Sequence, residues 1–388
     1  MNPFSVFKTA LATTALAGAL TGTVLAGPAL AEDPIKIGAL YNVTGGMSSL
    51  DGPSLKGAEL AAKQVNEAGG VLGREIELIA IDTRTDQQET AKAAQRALSE
   101  GVVAGIGQSD TTFVMAAAPL FQEEGVPFVT SGATHPELPQ WVGDYFFMTP
   151  FGDDDQSYAI ADYVVDTLDA KTAVVWTDQS MDFTKALSTF FIERLKARGG
   201  TVLAEDSFMM GDTDFSAQIA RLKAVDPAPD VVFVSAIPTE AGLSVKQIRE
   251  AGLTLPVVSG DGFDTDLVAT TPGPELANDV YFSTHTYRGD DRPEVTAFIE
   301  AYKDEYGIEP ENAFAPLGYD ALMLVVEAIK RAGVAEPDAI RDELAKTMGH
   351  KGVTGEISYT RDSMVPPKPI SVISVQGGEF NVETIWRP

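Results

Sequence analysis

Short apolar runs alternate with helix-length amphipathic stretches along this chain, and the alternation restarts midway, which leaves few fold classes open. Ile35 to Leu40 is the first run. After a loop from Asn42 to Ser49 the spacing predicts a helix starting at Pro53, with Leu55, Ala58, Ala61, Ala62 and Val65 inward and Gly69-Gly70 closing it. Strands are expected at Glu75 to Ile81, Val102 to Ile106 and Pro127 to Val129, with helices over 87–100 and 113–124 between them. The order begins again with a strand over 145–149, the acidic run Asp153-Asp154-Asp155 and a helix from about Gln156. Strands then fall near 172–177, 201–205, 230–235 and 256–259, separated by helices. Three helix patterns near 293–306, 315–332 and 337–348 follow, and the chain ends in short strands. Helices returning after the second unit imply that the chain crosses back to the first, which is a hinge geometry. The expectation is an α/β protein of two lobes, each a parallel sheet flanked by helices, joined by three crossovers. Lobe 1 would comprise 32–149 plus 284–355, and lobe 2 would comprise 150–283 plus 356–388.

The N-terminus reads as a targeting segment. Lys8 supplies a basic start, Ala10 to Ala26 an apolar small-residue core, and Ala29-Leu30-Ala31 a cleavage site, so residues 1–31 are expected to be removed on export. The competing reading, a membrane anchor, fits poorly with so much Gly, Thr and Ala. No Cys follows for lipid attachment. The formal charge of −28 becomes −29 once Lys8 is removed, which argues against nucleic acid and anionic membrane surfaces as partners. The absence of cysteine excludes disulfides, thiolate metal sites and cysteine nucleophiles.

Ligands of open α/β sheets bind outside the carboxyl ends of the strands. Two neighbouring strands here end in Ser109-Asp110-Thr111-Thr112 and Thr130-Ser131-Gly132-Ala133-Thr134. The first of these turns opens a helix, whose free N–H groups would attract an anion such as a ligand carboxylate. Lobe 2 offers Asp178 to Asp182, Ser235 to Ile237 and Gly260-Asp261-Gly262-Phe263. Taken singly, each Ser, Thr or Asp is more often a cap or turn residue; their convergence on one crevice is what favours a site. The glycines around Asp261 allow a tight turn, and its carboxylate would suit a ligand ammonium.

Enzyme motifs are missing. Gly105-Ile106-Gly107-Gln108-Ser109-Asp110 has Asp where a dinucleotide fingerprint needs its third Gly, and there is no Walker A, G-x-S-x-G or H-E-x-x-H pattern. A Ser131–His135–Asp arrangement is conceivable, but a loop histidine is the better reading. Asp153 to Asp155 and Asp261, Asp264, Asp266 are acidic clusters without the order of a calcium loop, and solvated or capping carboxylates explain them better. No cofactor and no metal are expected.

The chain resembles the periplasmic solute-binding proteins of branched-chain amino acid ABC transporters, the leucine/isoleucine/valine type. The resemblance is carried by IKIGALYNVTGG, GAELAAKQVNEAGGVLGREIELIAIDT, EEGVPFVTSGATHPEL, the segment Gly211 to Val234, KQIREAGLTLPVVSGDGF and NAFAPLGYDALMLVVEAIKRAG. It implies the type I periplasmic-binding-protein fold and a receptor that closes on a small amino-acid-like solute. The receptor would deliver its solute to an inner-membrane permease and would act as a monomer in the periplasm. Relatives of this type also take amides, urea and aromatic acids. The resemblance places ligand contacts on Thr111, Gly132 and Thr134, with Ser109, Asp110 and Ala133 lining the pocket and Asp261 meeting the ammonium. Asp182, or Phe183, stands where a closing aromatic is usual. Ile237 occupies a further aromatic position, and Leu50 and Asp51 lie in the first-lobe loop where an aromatic can sit. These departures leave the side chain of the ligand open. Asp51, Asp110, Asp182 and Asp261 around one crevice would suit an extra amine or many hydroxyls. The alternatives are an exported binding protein serving a sensor or regulator, and an extracellular hydrolase with its base near Ser131 or Ser109.

Overall fold

In the computed structural model, which describes residues 33–287, 289–360 and 363–388, nine elements follow one another before the first crossover. They are β1 (Ile35–Tyr41), α1 (Ser48–Glu67), β2 (Ile76–Asp82), α2 (Gln87–Ser99), β3 (Ala104–Gly107), α3 (Thr111–Glu123), β4 (Phe128–Thr130), α4 (Leu138–Val142) and β5 (Phe146–Met148). The five strands form one parallel sheet in the order β2-β1-β3-β4-β5. The expected targeting segment, residues 1–31, lies outside the described residues.

The second run contains α5 (Asp153–Asp166), β6 (Thr172–Asp178), α6 (Asp182–Ala197), β7 (Thr201–Phe208), α7 (Ser216–Ala224), β8 (Val231–Ser235), α8 (Pro238–Glu250), β9 (Val257–Ser259), α9 (Leu267–Thr270) and β10 (Val280–Thr284). Then come α10 (Pro293–Tyr306), α11 (Phe314–Ala332), α12 (Pro337–Leu344), the small hairpin β11 (His350–Gly352) and β12 (Gly355–Ile357), and finally β13 (Ile370–Gln376) and β14 (Glu379–Trp386). The second sheet runs β14-β13-β10-β9-β8-β6-β7 and is parallel except for β13 and β14. The architecture is thus α/β and two-lobed, and residues 33–388 form one compact unit.

The later helices return to the first sheet. Ala321, Leu322, Val325 and Ile329 of α11 share a buried core with Ile37 and Ala39 of β1, Ile106 of β3, and Ala58 and Ala61 of α1. Helices α1 and α11 approach at Gly57 and Gly318. A Cβ on Gly318 would stand 1.8 Å from the Ser54 carbonyl oxygen, and one on Gly57 1.8 Å from that of Ala315.

Helix α1 starts at Ser48, five residues before the expected Pro53. Pro53 has no N–H to give to the Ser49 carbonyl one turn back, and the Asn312 side-chain amide donates to that oxygen instead, at 2.8 Å. Helix α5 likewise starts earlier than expected, so Asp153 to Asp155 form its first turn, where the helix dipole favours negative charge.

The chain passes between the lobes near 149–152, 285–292 and 358–369, and the three passages are tied together. The buried Lys368 ammonium donates to the Thr149 carbonyl at 2.8 Å and to the Thr354 hydroxyl at 2.6 Å. The Tyr359 hydroxyl donates to the Met148 carbonyl at 2.7 Å, and the His285 ring stacks on Phe151 with centroids 4.0 Å apart.

Candidate functional site

The carboxyl ends of both sheets face a common cleft, which is closed. The Asp182 N–H donates to the Thr112 hydroxyl at 2.8 Å, the Asp153 N–H to the Thr134 carbonyl at 2.7 Å, and the Thr265 hydroxyl to that of Ser49 at 3.2 Å. An apolar cluster spans the interface, drawing Met47, Leu50, Phe113, Phe314 and Leu317 from the first lobe and Met181 and Ile237 from the second.

The two first-lobe turns lie side by side as the sequence implied. A Cβ on Gly132 would stand 2.9 Å from the Ser109 Cα and from the Phe314 ring, so only glycine fits there. The Thr130 hydroxyl accepts the N–H of Gly132 (3.3 Å) and of Ala133 (3.0 Å), which stiffens the turn that presents Thr134. Ser109 donates its hydroxyl to Asp51, and Asp51 also accepts the Asn42 N–H at 2.8 Å. Asp110 caps α3 by accepting the Thr112 N–H at 2.6 Å. The helix terminus that the sequence offered to a ligand anion therefore already holds a carboxylate of its own. The other oxygen of Asp110, and the Thr111 hydroxyl beside it, are buried with no hydrogen-bond partner.

In the second lobe Asp261 sits in the 3-10 turn Asp261–Phe263 and is 2 % exposed. One of its oxygens accepts the Gln156 side-chain amide at 3.1 Å, and the other lies 2.8 Å from His285 Nε2. The same Gln156 amide donates to Asp153 at 2.9 Å. Asp153 Oδ2 is buried and has no partner. Gln156 and His285 were not among the residues the sequence singled out, and Asp153 was read as a solvated or capping carboxylate. The available signal was three aspartates directly after a strand and a glycine, which is a helix start, together with a glutamine one turn on and a histidine at the end of β10.

Asp182 stands apart from this convergence. Its carboxylate pairs with Lys185 at 2.7 Å and its side chain is 46 % exposed, so only its backbone reaches the cleft. It lines a cavity of ≈590 Å³ at the cleft mouth with His135, Trp141, Lys185 and Phe190. A second cavity, of ≈570 Å³, lies on the crossover side among Phe282, Tyr287, Phe298 and Phe380. Both flank the converging residues.

Burial dominates the electrostatics. It pushes Asp51 up to about 6 and Asp110 up to about 7, and raises Asp153 well above the usual carboxylate range. Burial also holds His285 below its ordinary value, with its Nε2 beside Asp261. No catalytic triad forms around Ser131. Its hydroxyl accepts that of Ser54 at 3.1 Å, while the His135 ring packs on Trp141 with centroids 4.1 Å apart. Among the described residues, no group of three or more His, Asp or Glu is arranged to hold a metal ion. What remains is a set of buried donors and acceptors suited to non-covalent recognition.

Comparison with known proteins agrees with that arrangement. The profile of a family described as periplasmic binding protein matches residues 34–379. A Leu/Ile/Val-binding protein homolog 1 from Brucella melitensis is 30% identical over 353 residues, which cover 89% of this chain and 91% of that protein. The crystal structure of a leucine binding protein, LivK, from Thermotoga maritima superposes with a TM-score of 0.85 at 34% identity, covering 91% of this chain and 99% of that one. The substrate binding protein LivJ of Streptococcus pneumoniae, solved in complex with isoleucine, gives 0.86 at 32% identity, covering 92% and 100%.

Proposed function

The chain belongs to the periplasmic binding protein family, and we propose that it is the substrate-binding receptor of an amino-acid ABC importer. It works by closing two lobes on a small ligand and presenting the closed form to a membrane permease. The observation that carries this reading is that both lobes bring buried, unpartnered polar atoms to the cleft side: Asp110 Oδ2 and Thr111 Oγ1 at the start of α3 in one, Asp153 Oδ2 at the start of α5 in the other. A buried polar atom without a partner costs about 1–3 kcal/mol, and a bridging ligand removes that cost only when both lobes are in place. Ligand therefore favours the closed state by the difference in contacts between closed and open. Leucine and isoleucine receptors among the similar structures make an α-amino acid the reference ligand. Thr134 and Thr111 would hold its carboxylate, and Asp261 its ammonium. Residues 1–31 act as a cleaved export signal, which places the mature receptor in the periplasm.

A calorimetric titration with a panel of amino acids tests this. Thr134→Ala and Asp261→Ala are each expected to weaken binding of the best compound by about 1–3 kcal/mol. Wild-type affinity in both variants would place the pocket elsewhere.

A further inference from the structure

The cleft holds four buried acids without a lysine or arginine partner; burial pushes Asp51, Asp110 and Asp153 toward their protonated forms, and a cationic ligand is what would let them ionise. Asp51 and Asp110 are fully buried on the first-lobe side, and Asp153 and Asp261 are 0 % and 2 % exposed on the second. Besides burial, the charges that raise Asp110 are those of Asp182 and Asp51, and those that raise Asp153 are of Asp261 and Asp154, all negative. Among the described residues no lysine or arginine pairs with any of these four buried acids. Lys185 is paired with Asp182 at the mouth, and Lys368 donates to Thr149 and Thr354 in the crossovers. Burial lowers the pKa of His285, which disfavours a charged ring beside Asp261. Buried carboxylates without a counter-charge are unfavourable, and the cost grows with each like neighbour. An α-amino acid with an aliphatic side chain brings one positive and one negative group, so it leaves the balance where it was.

The acids are also divided in space. Asp51 accepts the hydroxyl of Ser109, the residue before Asp110, while Asp153 and Asp261 are linked through the Gln156 amide. Each pair keeps an unpartnered buried carboxylate oxygen, Asp110 Oδ2 in one and Asp153 Oδ2 in the other, and the unpartnered Thr111 hydroxyl adjoins the first. An apolar cluster lies at the same interface between the lobes. Leu50 and Phe113 neighbour Asp51 and Asp110 in sequence, and Phe314 of the same cluster stands edge-on to His285, the partner of Asp261, with centroids 5.9 Å apart. Cationic groups at both ends with an alkyl stem between them match this layout.

We propose that the ligand is a short alkyl compound of net positive charge with an amino group at each end, either a diamino acid or a diamine. This rests on the receptor reading above and narrows its substrate class. The test is a thermal-shift and calorimetric panel on the wild-type protein with lysine, ornithine, putrescine and cadaverine against leucine, isoleucine and valine. At least one dibasic compound is expected to bind about tenfold or more tightly than any branched-chain amino acid, as one added charge-assisted contact would give. Preference for lysine or ornithine over the diamines identifies a diamino acid; the reverse identifies a diamine. Asp110→Asn and Asp153→Asn are each expected to shift the dibasic-to-leucine affinity ratio about tenfold toward leucine. Branched-chain amino acids binding as tightly as, or more tightly than, every dibasic compound overturns the proposal while leaving the receptor reading intact. No binding by any compound of the panel removes both.

Discussion

Asp110 serves two roles that oppose each other. As the cap of α3 it is favoured as an anion, yet it is fully buried and faces other carboxylates. Folded, it keeps its proton up to about pH 7; unfolded, it gives the proton up near its ordinary value of 3.8. Between those values the folded state holds the extra proton, so the contribution of this residue to stability falls as pH rises through the window. Asparagine can also cap a helix but carries no such proton. Asp110→Asn is expected to gain on the wild type between about pH 4 and about pH 8, by up to about 4 kcal/mol. Urea denaturation of both ligand-free proteins at the two pH values measures it, and equal pH slopes would contradict the burial argument. The sequence made Asp110 visible as a turn residue, and its neighbours Thr111 and Thr134 as hydroxyls at strand ends. It could not show that Asp182 turns its carboxylate outward to Lys185, because that depends on how α6 meets α3. Nor could it distinguish Asp153 from its solvated neighbours, since burial of the one comes from Thr134 and Asp261 in distant segments.

At the level of the elements, alternation of apolar strands and amphipathic helices was readable because the inner strands, such as β1, β3, β6 and β8, are buried on both faces, unlike the edge strands β2, β7 and β14. The misplaced starts have causes outside their own segments. Pro53 reads as a helix opener, and the residue that allows it inside α1, Asn312, lies in a distant segment. The acids of α5 read as a surface run because their role at a helix start appears only once the strand before them is in place. The crossing of α1 and α11 is the most sensitive joint among these elements. Gly318→Ala places a methyl group 1.8 Å from the Ser54 carbonyl, and the backbone of α1 cannot yield by rotating a side chain. A loss of about 1–3 kcal/mol is expected, read as a lower urea midpoint. An unchanged midpoint would show that the two helices can separate freely.

Across the whole molecule, the three passages between lobes are held as one bundle, in which Lys368 joins the first passage to the third. Burial lowers this lysine to about 8, so a fraction of it is neutral in mildly alkaline solution. Lys368→Met keeps the volume roughly constant but strands the Thr149 carbonyl, while the Thr354 hydroxyl keeps its bond to Asp320, so a loss of stability of about 1–3 kcal/mol is expected. Chemical denaturation checks the loss, and limited proteolysis near residues 149–152 and 358–369 is expected to quicken with it. Wild-type stability would mean that water replaces the ammonium at no cost. The return of α11 to the first sheet bears on how the chain is made. Strands β1 and β3 are synthesised early, but the helix that covers their apolar face emerges only after β10 and most of the second sheet. A growing polypeptide therefore cannot complete its first lobe by itself, and its earliest core stays uncovered until more than three hundred residues have left the ribosome. The first lobe is therefore completed late in synthesis, after the parallel strands of the second sheet have already been made.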